Sequence, residues 1–265
     1  MKKILLTLLL VAFTASSAFA EVKGSVHDLS VDSPYSATTE IRICAFCHTP
    51  HHANVVGDYM PLWSHELTAI ASFTPYDSAT INGDTSDPMR GGSLLCMSCH
   101  DGAVAPDAYY GTAGGQVDPG LDKWNDFGIG AAGLMNNDHP IGMSYSDSMD
   151  GSNDIQKASI GSGDDYLRDP NVALSSFNAG VTINGQTVYT FDSTRYSVES
   201  ISEVLASDGV DDDIVACSSC HDVHNGDQVF QEASVVTPTG QVGATKSLLY
   251  GSQHDSAFCV MCHIK

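Results

Sequence analysis

The placement of cysteine constrains this chain more than any other feature. All eight cysteines fall in four copies of one pattern: Cys44-Ala-Phe-Cys47-His48, Cys96-Met-Ser-Cys99-His100, Cys217-Ser-Ser-Cys220-His221 and Cys259-Val-Met-Cys262-His263. No thiol is left over. Two sulfurs one helical turn apart suit two vinyl groups on adjacent pyrroles, and the next His lies on the same face, where its imidazole can reach an iron. C-x-x-C-H is the attachment motif for c-type haem. Structural zinc also uses C-x-x-C pairs, but nothing in zinc chemistry demands a His after every pair. A disulfide framework does not predict that His either, and thioredoxin-like chemistry expects one motif, not four. The spacing predicts four covalent haems, anchored at Cys44, Cys47, Cys96, Cys99, Cys217, Cys220, Cys259 and Cys262. His48, His100, His221 and His263 are the expected proximal iron ligands.

Of the eleven histidines, seven are then left: His27, His51, His52, His65, His139, His224 and His254. Four irons need four distal ligands, so bis-His coordination throughout is feasible. Six-coordinate iron has no vacant position for substrate and suits electron transfer. Met97 and Met261 lie inside the motifs and read as haem packing. His51 and His224 each stand three residues beyond a proximal ligand, in C-x-x-C-H-x-x-H. Such a His stays near the same face of its own porphyrin. As a ligand it would serve a neighbouring haem and force haems into close pairs; the alternative is a surface imidazole beside a propionate. His139 lies in Asn136-Asn137-Asp138-His139-Pro140, where Asp138 or nearby backbone could orient the ring and Pro140 stiffens the chain. His27, followed by Asp28, is a further candidate ligand. His65, in Leu62-Trp63-Ser64-His65, is the alternate: a ligand or a packed side chain. His52 and His254 read as non-ligands.

Residues 1–20 read as a secretory signal peptide. Lys2 and Lys3 precede an apolar run from Ile4 to Phe13, too short to span a bilayer, and Ala18-Phe19-Ala20 resembles a cleavage site. The rest of the chain has no span-length apolar run. Asp and Glu number 32 against 11 Lys and Arg, for a net charge of −21. That balance argues against nucleic acid, which needs clustered cations, and against docking on an anionic membrane. An exported chain without membrane insertion is expected; the resemblance set out below implies an extracellular or outer-cell-surface location, with the periplasm as the alternative.

The motif positions predict two haem pairs, haems 1–2 in 21–140 and haems 3–4 in 217–265. The insertion between them, about 141–216, is longer than a loop without structure of its own should be. Within it, Val181 to Tyr189 reads as a β-hairpin turning at Asn184-Gly185, and Ser197 to Ala206 as a short helix with Ile201, Val204 and Leu205 on one face and Ser197 as cap. The Asp208–Asp213 loop is a candidate divalent-cation site, though its order of ligands is not that of an EF-hand; a solvated acidic loop is the other reading. The expected fold class is a multihaem cytochrome: mostly coil, with short α-helices at the C-x-x-C-H motifs and one or two small β-hairpins. It would be organised around a four-haem chain that itself forms much of the core.

The phrases around the motifs carry a resemblance. Ser25-Val26-His27-Asp28-Leu29-Ser30, Cys44 to His51, Pro61-Leu62-Trp63, Cys96 to Gly102, Asn137-Asp138-His139-Pro140 and Cys217 to Asn225 resemble the secreted tetrahaem c-type cytochromes of metal-reducing bacteria. Within these, the chain is most similar to the OmcE-type extracellular filament (nanowire) subunits. The resemblance covers most of 25–140 and 217–265; residues 141–216 match nothing in it. It implies bis-His haems with His27, His51, His139 and His224 as the distal set. It also implies self-association into a homopolymer with a continuous haem chain, and coordination completed by subunit contacts. His27, on an easily donated N-terminal arm, is the ligand expected to cross between subunits. The implied function is extracellular electron transfer, with redox partner cytochromes and extracellular acceptors as partners and no enzymatic activity. The competing readings are a soluble periplasmic electron shuttle and a multihaem reductase with one open haem site.

Overall fold

The computed structural model of the protein describes residues 22–25, 27–32, 39–54, 61–68, 70–79, 81–112, 114, 129, 133–149, 167–171, 173, 181–183, 186–188, 199–224, 248–250 and 258–263. These residues are mostly coil with a few short helices, and the four C-x-x-C-H motifs each form a helical turn. In chain order the α-helical segments are α1 (Ser93–His100), α2 (Tyr145–Met149) and α3 (Cys217–Cys220). Ile43–Phe46 and Cys259–Met261 are 3-10 turns. The N–H of each proximal His outside α1 returns to the carbonyl of the first Cys of its motif. The distances are 2.8 Å for His48 to Cys44, 3.1 Å for His221 to Cys217 and 3.0 Å for His263 to Cys259.

One turn of helix is not stable alone, because nucleation fixes several residues for a single hydrogen bond. Isolated bridges to distant chain supply the missing support. His48 pairs with Trp63, His221 with Leu249 and His263 with Leu167. α1 is longer and ends on Asp101. This buried carboxylate accepts the N–H groups of Ala103 at 2.8 Å and Val104 at 3.2 Å, and the Thr68 hydroxyl.

The regular strands are β1 (Val181–Ile183) and β2 (Gln186–Val188), antiparallel with Val181 opposite Val188 and Ile183 opposite Gln186. Asn184, Gly185 and Tyr189 lie outside the described residues. The helix expected over Ser197 to Ala206 is not formed as such. Only Ile201–Glu203 is helical, as a 3-10 turn, and Ser197 lies outside the described residues. After Val204 the backbone turns extended, and Ala206 exchanges two 2.8 Å hydrogen bonds with Ile214. Burial decides this: Ile201 and Val204 need only one turn to reach the core, and pairing with Ile214 then satisfies the chain better than a further turn would.

That core joins Met143, Tyr145, Ile201, Val204, Val215 and Met261. Most of it comes from both ends of the segment expected as an insertion. A second cluster, Leu29 and Phe46, backs the first motif, with Cys47 and Tyr109 against it. Among the described residues no helix is long and apolar enough to cross a membrane.

Arg90 ties the two halves together. Its Nε donates to Asp208 Oδ2 at 2.6 Å, its second nitrogen reaches the Asp211 carboxylate, and its third reaches the Gly142 carbonyl at 3.3 Å. The next residue must be glycine: Gly91 has φ +64°, and a Cβ there would stand 2.8 Å from Ala206 Cβ and 3.1 Å from Ala216 Cβ. The N–H groups of Asp211 and Val210, then Arg90, hold the Asp208 carboxyl at about 2, below the usual range.

Replacing Arg90 by Gln should lower the thermal midpoint by about 2–4 °C, measured by differential scanning calorimetry. Because the folded Asp208 pKa is depressed, its stabilisation is complete above about pH 4 and is lost as pH falls toward 2. The difference between native and Arg90→Gln protein should therefore shrink across that window. A constant difference would contradict the assignment.

Candidate functional site

The motif turns bring three of the four proximal histidines, His48, His100 and His263, toward histidines from remote parts of the chain. The ring of His100 lies 6.0 Å from that of His27, centroid to centroid, edge to face at 80°. His48 lies 6.2 Å from His224, nearly parallel at 21°. His263 lies 6.2 Å from His139 at 68°. Two imidazoles on one metal ion, each with a metal–nitrogen bond of about 2 Å and roughly 1 Å more to the ring centre, have centroids about 6 Å apart. The spacing of each pair matches that distance.

Hydrogen bonds set the ring tautomers. His48 Nδ1 lies 2.6 Å from the Pro61 carbonyl oxygen, and His139 Nδ1 lies 2.9 Å from that of Pro140. A carbonyl only accepts, so Nδ1 carries the proton in both rings and Nε2 keeps its lone pair for a metal. Burial, with His100, His221 and His224 as neighbouring charges, lowers His27 to about 4. Its ring is therefore neutral, as a ligand must be.

The N-terminal arm that carries His27 is locally fixed. Asp28 accepts the Gly24 N–H at 2.8 Å, the Ser30 N–H at 3.2 Å and the Ser30 hydroxyl at 2.5 Å. Ser25 Oγ accepts the His27 N–H at 3.1 Å. The arm thus lies against its own chain, where His27 meets His100.

The two C-x-x-C-H-x-x-H segments share a local device. Asp222 Oδ1 accepts the His224 N–H at 3.0 Å, and Thr49 Oγ1 accepts the His51 N–H at 3.3 Å. His51, His52 and His224 are all exposed, and the His224 ring lies beside His48 of another motif. His254 lies outside the described residues. His65 is 1% exposed, and its Nε2 lies 3.3 Å from Cys99 Sγ.

The sulfurs follow the order of the motifs along the chain. Cys47 is close enough to Cys99 for its charge to raise that thiol, Cys96 is hydrogen-bonded to Cys217, and Cys262 raises Cys220. Burial pushes the Cys47 and Cys262 thiols up to about 11 and Cys220 to about 12. These three are protonated thiols at neutral pH, whereas the hydrogen bond with Cys96 lowers the Cys217 thiol to about 7.

Two buried polar atoms beside the site have no hydrogen-bond partner, Trp63 Nε1 and Ser64 Oγ. The Trp63 ring stands edge-on to His48, 6.0 Å between centroids. Buried orphan donors are rare and point to a further group with acceptor atoms. Sequence reasoning did not single out these donors. A Trp flanked by Leu62 and Ser64 gives no signal beyond an apolar side chain. Arg90 was likewise missed, although in a chain with so few cations its place before α1 could have marked it.

At the Asp208–Asp213 loop, Asp208 and Asp211 meet Arg90, Asp212 accepts the Ser207 hydroxyl at 2.5 Å, and Asp213 accepts the Ser146 N–H at 2.8 Å. Among the described residues no group of three or more His, Cys, Asp or Glu side chains is arranged to hold a metal ion. No protein-family model matches the chain, and no curated protein matches it.

Asp28→Ala should release the His27 arm, accelerating amide hydrogen exchange at Gly24 and Ser30 about tenfold or more while α1 exchanges as before. Unchanged exchange at these two amides would show that the carboxylate does not hold the turn.

Proposed function

We propose that the protein is an electron carrier with four c-type haems and no enzymatic activity of its own. The observation that carries this reading is the set of three His–His pairs at 6.0–6.2 Å, each containing the proximal His of a C-x-x-C-H motif. Cys44 and Cys47, Cys96 and Cys99, Cys217 and Cys220, and Cys259 and Cys262 would hold the four porphyrins. His48 with His224, His100 with His27, and His263 with His139 would hold three irons. His51 remains from the distal set for the iron at His221. A six-coordinate haem exchanges single electrons and leaves no open position for substrate.

The chain's own residues supply the setting. Pro61 and Pro140 carbonyls fix two ligand tautomers, and the turns at Asp28 and Asp222 place His27 and His224. Trp63 Nε1 and Ser64 Oγ are donors suited to carboxylates such as haem propionates. The hydrogen bond between Cys96 and Cys217, sulfurs of successive motifs, supports haems that follow one another in sequence order, as hopping between neighbours requires.

We further propose, on the resemblance to secreted tetrahaem cytochromes, that the chain is exported and serves extracellular electron transfer as the subunit of a homopolymeric filament. Redox partner cytochromes would supply electrons, and extracellular acceptors would receive them.

The test is the native protein made in a cell that matures c-type cytochromes. Pyridine haemochrome assay should give four haems per chain, and the reduced protein should not bind carbon monoxide. His27→Ala, His139→Ala and His224→Ala should each open one haem to carbon monoxide. Fewer than four haems would overturn the reading, and carbon monoxide binding by the native protein would favour a reductase with an open site. Cryo-electron microscopy of the same material should show filaments, formed more readily at moderate salt, which screens the repulsion between acidic subunits beyond about 8–10 Å. Discrete monomers at every salt concentration would leave a soluble periplasmic shuttle.

A further inference from the structure

Resting on the haem reading above, we propose that His65 is a positioning residue: its imidazole is fixed against the Cys99 attachment sulfur and sets the reduction potential of the haem carried by Cys96, Cys99 and His100.

The ring is held from several directions. Nδ1 lies 2.8 Å from the Glu66 carbonyl oxygen and therefore donates to it. The His65 carbonyl accepts from Asn54 Nδ2 at 2.6 Å. The backbone is bridged to Tyr109, with Tyr110 N–H to Ser64 O at 3.0 Å and Glu66 N–H to Ala108 O at 2.8 Å on either side. With the residue 1% exposed, the ring cannot turn without breaking a buried hydrogen bond.

Its free face meets Cys99. Nε2 lies 3.3 Å from Cys99 Sγ, and three residues on, Thr68 donates to Asp101. Segment 65–68 therefore runs along the end of α1, covering the sulfur and the carboxylate that caps the helix. An attachment sulfur sits at the periphery of a porphyrin, whereas an axial nitrogen sits over its centre. A nitrogen in contact with Cys99 Sγ is thus at the edge of the macrocycle. The ring facing His100 is that of His27.

A buried ring at that edge keeps water from the haem. Solvent access and the apolar shell around a metal centre set its potential, and added exposure stabilises the oxidised, more charged state. Removing the ring should lower the midpoint of one haem and leave the other three unmoved.

The experiment compares the native holoprotein with His65→Ala and His65→Phe by haem assay, carbon monoxide binding and spectropotentiometric titration. Native protein is measured first, and a count below four haems fails the haem reading itself before any variant is considered. Given four, His65→Ala should keep four haems that do not bind carbon monoxide and shift one midpoint downward. His65→Phe, which fills the space but cannot ligate iron, should bring that midpoint back toward the native value. Carbon monoxide binding by either variant would make His65 an axial ligand and overturn the proposal, as would four unchanged midpoints in His65→Ala. If His65→Ala does not fold, His65→Val takes its place: four haems closed to carbon monoxide with one midpoint lowered sustain the proposal, and one open haem or four unchanged midpoints end it.

Discussion

Three pairs of imidazoles, drawn from chain positions as far apart as His48 and His224, face one another across 6.0–6.2 Å. This constraint explains why the described chain has so little regular structure. A helix bundle or sheet positions side chains through long repeats, whereas here each histidine is placed separately. One helical turn orients the ring, a backbone bridge steadies the turn, and a carbonyl fixes the tautomer. Longer helices would add stability, but they would not bring His139 to His263 or His27 to His100.

The two C-x-x-C-H-x-x-H segments share their spacing and differ at every intervening residue. In both, the residue after the proximal His accepts the N–H of the second His, so the same turn forms. Both second histidines are exposed, and only for His224 does a histidine ring of another motif, that of His48, lie 6.2 Å away among the described residues. Local chemistry sets the turn, and the path of distant chain sets what the turn meets.

The same division governs what could be read from sequence. The motif turns were legible because the spacing of two sulfurs and one imidazole is local. The candidate distal histidines could be named from sequence because only seven histidines lie outside the motifs. Their pairing was not, because it depends on how residues 22–32 and 133–140 fold back on the motifs. The apolar pattern of Ile201, Val204 and Leu205 suggested a full helix, but a single 3-10 turn buries Ile201 and Val204, and pairing with Ile214 takes over. For the acidic loop the sequence suggested a solvated face, with a divalent cation as the alternative; the positive charge it meets is the guanidinium of Arg90, which lies more than a hundred residues away and has no local signature.

The acidic composition is itself part of how such a chain folds. A coil-rich backbone leaves many N–H groups outside any helix or ladder, and each needs an acceptor when water is excluded. Asp supplies one, because its short side chain reaches the N–H two residues on. Asp28 bonds Ser30 in this way, Asp84 bonds Ser86, Asp87 bonds Met89, Asp101 bonds Ala103, Asp169 bonds Asn171, Asp208 bonds Val210 and Asp222 bonds His224. Glu40 does the same for Arg42. Eight of the 32 acidic residues thus have a place in backbone turns, and their abundance does not by itself call for a cationic partner. Its cost is repulsion between copies of the chain. Any self-association on the proposed reading must then draw its stability from apolar burial and ligand contacts, with charge acting against it.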